Sequence, residues 1–163
     1  MGAAQRLADL GLTLPQVAAP LAAYVPAVRT GSYVWTSGQL PFVDGALPTT
    51  GKVGAEVSPD EAADLARTAA LNALAAVAAL VEREGGPAGA DALDLVTRVV
   101  KVVGFVASDP AFTGQPAVVN GASLLLHDVL GEAGVHARSA VGVAVLPADS
   151  PVEVEIVVEL AVG

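Results

Sequence analysis

Val152-Glu153-Val154-Glu155-Ile156-Val157-Val158-Glu159-Leu160-Ala161-Val162 reads as a strand with two unlike faces. Successive strand side chains point to opposite sides. Val152, Val154, Ile156, Val158, Leu160 and Val162 therefore share a face that belongs in a core. Glu153, Glu155, Val157, Glu159 and Ala161 share the other. Ala137–Leu146, just upstream, reads as a second strand. There Val141, Val143 and Val145 are expected to seat the helices. Arg138, Ala140, Gly142, Ala144 and Leu146 oppose them. Leu95–Ala107 is Val-rich at both parities, which predicts a strand buried on both faces.

Helix signals are equally local. Ser58-Pro59-Asp60-Glu61 combines an N-cap, a proline suited to the first turn and the acid of a capping box. Ala62, Leu65, Ala66, Ala69, Ala73, Leu74, Val77 and Leu80 then recur at helical spacing. The helix is expected to run to about Arg83, with Gly85-Gly86-Pro87 ending it. A second helix is expected from Pro116 to Gly131, burying Val118, Val119, Ala122, Leu125, Leu126 and Val129. Val25–Thr30 and Tyr33–Ser37 read as strands about a turn at Gly31, and Leu40–Glu56 as a long loop. Residues 3–10 suit a short helix within an N-terminal arm, 1–19, and Pro15, Pro20 and Pro26 favour extended chain. The order ββ-α-β-α-ββ predicts one α+β domain over 1–163, a mixed sheet with two main helices on one face.

Two helices cannot cover both sides of such a sheet. The face bearing Glu153, Glu155 and Val157 needs another subunit, so an oligomer is expected.

Composition excludes several classes. With Cys 0, disulfides and thiol chemistry are impossible. A formal charge of -9 repels phosphate backbones, so no nucleic-acid partner is expected. No uncharged run approaches the ~20 apolar residues of a bilayer span, so no membrane association is expected. The N-terminus lacks a basic stretch followed by an apolar one, and a cytoplasmic location is expected. His127 and His136 have no HExxH-type spacing, so no metal is expected. GxSxG, GxGxxG and Walker motifs are absent, and no cofactor is expected.

Arg138 is the leading candidate for chemistry. A guanidinium grips a carboxylate with two parallel hydrogen bonds, and Arg138 is placed on the face expected to meet another subunit. An ion pair with a glutamate on that face is the ordinary alternative. Glu153, Glu155 or Glu159 could hold or deprotonate water if sheltered; otherwise they form a solvated acidic face. Thr36-Ser37-Gly38-Gln39 ends a strand with a hydroxyl and an approachable backbone. Tyr24 precedes the first strand. Asn120, Ser123 and His127 fall on one helix face.

Taken in order, Tyr24-Val25-Pro26-Ala27-Val28, Thr36-Ser37-Gly38-Gln39-Leu40-Pro41, Arg98-Val99-Val100-Lys101-Val102, Ala137-Arg138-Ser139-Ala140-Val141, Val143-Ala144-Val145-Leu146-Pro147 and Val152-Glu153-Val154-Glu155 resemble the RidA/YjgF family of reactive-intermediate deaminases. The resemblance spans about residues 20–162 and looks like a longer branch, whose members commonly carry an endoribonuclease-like label. It implies a chorismate-mutase-like fold and a homotrimer with sites between subunits. It also implies that the last strand is threaded elsewhere in the sheet, not paired as a hairpin with 137–146. By the same resemblance Arg138 grips a substrate carboxylate and Glu153 holds the attacking water, while Tyr24, Ser37, Gly38 and Asn120 line the cleft. The implied reaction is hydrolysis of 2-imino or enamino acids to 2-oxo acids and ammonia, without cofactor or metal. The alternative is a non-catalytic trimer that binds small carboxylates or has a regulatory role. Family members often have Cys where Ala140 sits and Glu where Gly142 sits, so a roomier, less polar pocket is expected.

Overall fold

The computed structural model describes residues 1–17 and 23–161. Pro20, Val162 and the last residues of the 1–19 arm lie outside the described residues. Strand β5, Val152–Leu160, alternates as its sequence predicts: Val152, Val154, Ile156, Val158 and Leu160 are buried, and the residues between them are half-buried. It occupies the middle of a five-stranded sheet ordered β1-β2-β5-β3-β4. β1 (Ala27–Thr30) and β2 (Tyr33–Thr36) form a tight hairpin in which Gly31 takes φ 58. β5 runs antiparallel to β2 and to β3, Val96–Ala107.

β4, Ala137–Val143, is parallel to β3. A parallel pair needs a long crossover, and helix α3, Gln115–Leu130, supplies it. Consecutive strands β4 and β5 are therefore not neighbours, as the resemblance implies. Glu159 pairs with Tyr33 and Arg98, far from Arg138 in the sheet order. β4 ends at Val143 rather than Leu146 because Ala107, its last partner, ends β3. A turn at Pro147–Asp149 follows.

Helix α2, Pro59–Arg83, begins as expected, with the Glu61 N–H donating to Ser58 Oγ at 3.1 Å. The return half of the capping box is replaced: the Glu61 carboxylate accepts from Thr49 Oγ1 at 2.6 Å, which ties the long loop to the helix start. α2 is long and apolar enough to cross a membrane, but 67% of the stretch concerned is buried inside this fold, as in a core helix. The α3 stripe is the expected one, from Val118 to Val129. Short helix α1, Ala3–Asp9, docks through Ala3 and Leu7, and Asp94 Oδ1 accepts from its first N–H at 2.6 Å. Asp94 belongs to a 3-10 segment, Gly89–Leu95, where Ala92 and Leu93 are buried. Sequence reading did not anticipate that segment, because a single short turn has no periodicity to detect.

Glycines set the layer spacing. A methyl on Gly104 of β3 would meet Val119 methyls at 2.5 and 2.6 Å, and one on Gly121 of α3 would overlap the Ala63 carbonyl oxygen of α2.

Two face assignments need correction. In β4 the helix-facing side carries Arg138, Ala140 and Gly142, not the valines. Arg138 bonds α3, Ala140 packs on the core, and Gly142 lies against Gln115. Val141 and Val145 are exposed. The cause is register: Arg138 sits beside helix-facing Val102. In β3, Val99, Val102 and Val106 are fully buried, but Val100, Val103 and Phe105 on the far face are half-buried. That far face also leaves Trp35 52% and Tyr33 41% exposed, so nothing in the described chain covers it.

Gly121→Ala tests the helix contact. Helix propensity favours alanine by about 1 kcal/mol, whereas overpacking costs ~1–3 kcal/mol. We expect net destabilisation in urea unfolding. A stabilised variant would show that α2 and α3 separate at little cost.

Candidate functional site

Arg138 has no carboxylate partner among the described residues; the ion pairs there are Arg29–Glu84, Lys52–Asp149 and Arg67–Asp128. Neutral oxygens of α3 hold it instead. Nη1 donates to Asn120 Oδ1 at 2.8 Å and to Ser123 Oγ at 3.1 Å, and Nη2 donates to the Pro116 carbonyl at 3.3 Å. A guanidinium has five N–H donors, so Nε–H and one Nη2–H remain without partners among the described residues. Two free donors on a fixed cation suit a carboxylate, which accepts two hydrogen bonds. The cation is thus fixed but not neutralised.

Ser123 is shared with His136. Its Oγ lies 2.9 Å from His136 Nε2, and His136 Nδ1 lies 2.6 Å from the Gly134 carbonyl. Burial lowers the His136 pKa from its ordinary value; the Gly134 bond opposes this and the Arg138 charge adds to it. His127, grouped with Asn120 and Ser123 by spacing, is exposed and outside the cluster. His136, weighed from the sequence only as a metal ligand, takes a place beside Ser123 that the sequence reading did not give it. The available signal was its position two residues before Arg138, at the entry to β4.

Glu153 lies on the other side of the sheet. Its carboxylate packs directly on Gly38: a methyl there would overlap Glu153 Oε1. Gln39 holds that contact by pairing with Val154, through N–H···O bonds of 2.8 and 3.0 Å. Ser37 Oγ donates to the Val25 carbonyl at 2.6 Å, which brings exposed Tyr24 to the same end of β2. Burial raises the Glu153 pKa above its ordinary value, and neighbouring Glu155 raises it further.

The candidates therefore form two groups. Arg138 and Asn120 sit on the helix side at edge strand β4. Tyr24, Ser37, Gly38 and Glu153 sit at the β2–β5 end, with Glu153 on the uncovered side. One chain does not bring Arg138 and Glu153 together. The expectation that Arg138 occupies the uncovered face is overturned by its α3 contacts. Gly142 itself lies against polar neighbours: a methyl there would approach Gln115 Nε2 to 2.8 Å and Ser108 Oγ to 3.0 Å. A separate groove of about 750 Å³ is lined by residues that include Pro15, Val17, Gln39, Leu40, Phe42 and Asn72. It includes neither Arg138 nor Glu153. Among the described residues, no group of three His, Asp or Glu is placed to hold a metal.

The family pattern described as "YjgF/chorismate_mutase-like, putative endoribonuclease" matches residues 4–160. Protein TCP17 of Trypanosoma cruzi is 44% identical over 158 residues, covering 96% of this chain and 93% of that protein. The chain belongs to the YjgF/RidA family. Its structure is similar to that of Atu1372 from Agrobacterium tumefaciens, a protein described as of unknown function: TM-score 0.85, 42% identity, 98% of this chain and 92% of that one. It is also similar to E. coli TdcF, solved with bound serine: TM-score 0.60, 26% identity, 90% of this chain and 94% of that one. The sheet order and crossover described above are accordingly the chorismate-mutase-like fold of YjgF/RidA proteins.

The two shifted groups give opposite pH signs. His136, lowered on folding, contributes stability that is full above its ordinary 6.5 and lost as pH falls below it. Glu153, raised on folding, contributes stability that is full below its ordinary 4.5 and lost as pH rises through its folded value. Glu153→Gln should therefore raise the Tm at pH 7.5, with the gain shrinking toward pH 4.5. Calorimetry across that range checks it; a lower Tm at pH 7.5 would mean that the carboxylate is well solvated.

Proposed function

We propose that this protein deaminates reactive 2-imino and enamino acids hydrolytically, in clefts between the subunits of a homotrimer. The observation that carries this reading is the Arg138 guanidinium, fixed by three neutral acceptors and left with two free N–H groups among the described residues. Such a group suits a small carboxylate. The serine bound to TdcF is itself an amino acid carboxylate.

Arg138 and Glu153 face opposite sides of one sheet, so a common cleft requires two copies. The uncovered face, with Trp35, Tyr33, Phe105 and Val157, supplies the apolar area for that association. In this reading one copy contributes Arg138 and Asn120. Its neighbour contributes Glu153, Gly38, Ser37 and Tyr24.

The iminium carbon is already electrophilic, so positioning carries most of the catalysis. Arg138 anchors the carboxylate. Glu153 accepts a proton as water adds to C2, forming a carbinolamine. The same carboxyl then returns the proton to nitrogen; as the C–N bond breaks and its electron pair leaves with ammonia, the C2 hydroxyl gives its proton back to the Glu153 carboxylate and C2 becomes the carbonyl of a 2-oxo acid. A carboxylate whose pKa is raised by burial is a better proton acceptor for this role than a solvated one. The second reading is a non-catalytic, trimeric binder of small carboxylates. It is favoured by Ala140 and Gly142, which offer no proton-transferring group at positions where family members often have Cys and Glu.

Two measurements test these readings. Light scattering should give three times the 16.1 kDa chain mass, and a monomer at micromolar concentration would remove the shared cleft. A threonine dehydratase assay coupled to lactate dehydrogenase should show faster 2-oxo acid release with the protein than with buffer. Arg138→Ala should lower that acceleration at least about tenfold, the scale of losing a charged hydrogen-bond anchor. No acceleration by wild type would select the binding reading.

A further inference from the structure

We infer that His136 and Ser123 are positioning residues for Arg138, joined to it in a directed hydrogen-bond relay from the Gly134 carbonyl to the guanidinium. The inference rests on the reading of Arg138 as the carboxylate clamp, and it names what holds that clamp.

The proton directions are set by elementary chemistry. The Gly134 carbonyl only accepts, so His136 Nδ1 carries hydrogen. Arg138 only donates, so Ser123 Oγ accepts from Nη1. The remaining close contact joins Ser123 Oγ to His136 Nε2. In a neutral ring with hydrogen on Nδ1, Nε2 is an acceptor, so the Ser123 hydroxyl donates to it. Every donor in the chain then meets one acceptor, and the serine rotor has a single orientation. Its lone pair is aimed at the guanidinium because its hydrogen is engaged by the imidazole.

The relay also bridges two elements. His136 lies just before β4 and Arg138 is the second residue within it. Asn120 and Ser123 lie one turn apart on α3. Asn120 and Pro116 alone would give each Nη atom one acceptor. The Ser123 contact adds a third point, fixing the plane from which Nε–H and the remaining Nη2–H project.

The test uses the full-length protein with 15N-labelled arginine, and 2-oxobutyrate as the carboxylate probe. Arg138 resonances are identified by their loss in Arg138→Lys. Wild type should show separate Arg138 Nη signals, the signature of a guanidinium that does not rotate freely. Ser123→Ala and His136→Ala should merge those signals and weaken 2-oxobutyrate binding about tenfold, on the scale of a hydrogen bond to a charged group. His136→Gln keeps an acceptor for the serine hydroxyl and should restore separate signals and affinity to within about threefold. If Ser123→Ala does not fold, the contrast between His136→Ala and His136→Gln carries the same comparison. Unchanged Arg138 signals in the folded alanine variants overturn the inference, whatever the affinity does. So does a His136→Gln variant that behaves like His136→Ala. If wild type binds no 2-oxobutyrate while its Arg138 signals still merge in Ser123→Ala, the positioning role stands and the carboxylate reading fails.

Discussion

Val154, Ile156 and Val158 bury one side of the central strand, while Glu153, Glu155 and Glu159 keep the other side out of the core. The rest of the molecule depends on that division. Two long helices can seal only one side of a five-stranded sheet, and α2 and α3 do so with Ala, Leu and Val. The other side keeps tryptophan, tyrosine and phenylalanine beside ionisable groups. Its carboxylates are therefore half-sheltered rather than fully hydrated, which is the physical origin of the raised Glu153 pKa.

The small side chains have a consequence for chemistry. Gly104 and Gly121 allow α3 to lie close on β3 and α2. That closeness brings Asn120, Ser123 and the Pro116 carbonyl within hydrogen-bond reach of a β4 side chain. Bulkier residues would lift the helix, and Arg138 would then have to find other acceptors or a carboxylate. Packing of uncharged residues thus decides how a charged one is held. The cation keeps its charge uncompensated because every contact it makes is to a neutral oxygen.

Much of the fold was legible in the sequence because its signals are local. The Ser58-Pro59-Asp60-Glu61 start, the α3 stripe and the β5 alternation each depend on residues within one element. The β4 face was misread for a related reason. Alternation shows that Val141 and Val143 share a side, but not which side. The choice was made by the register with β3 and by α3, which needs alanine and glycine beneath it. Asn120, Ser37, Gly38 and Glu153 could be proposed from resemblance to YjgF/RidA proteins. The Ser123–His136 link could not be read, since it joins a helix and a strand end whose approach no local pattern encodes.

By itself the sequence determined the elements, the apolar side of β5, the need for cover on the opposite side and the family. Those follow from short-range periodicity, capping chemistry and a set of ordered motifs. Only the tertiary structure decided that Arg138 faces α3 and that Glu153 presses on Gly38 across the sheet from it. The separation of β4 from β5, implied by the resemblance, takes its exact form there, with β3 between them. Strand order, register and helix approach are set by contacts between distant residues, and these bring together side chains that the linear chain keeps apart.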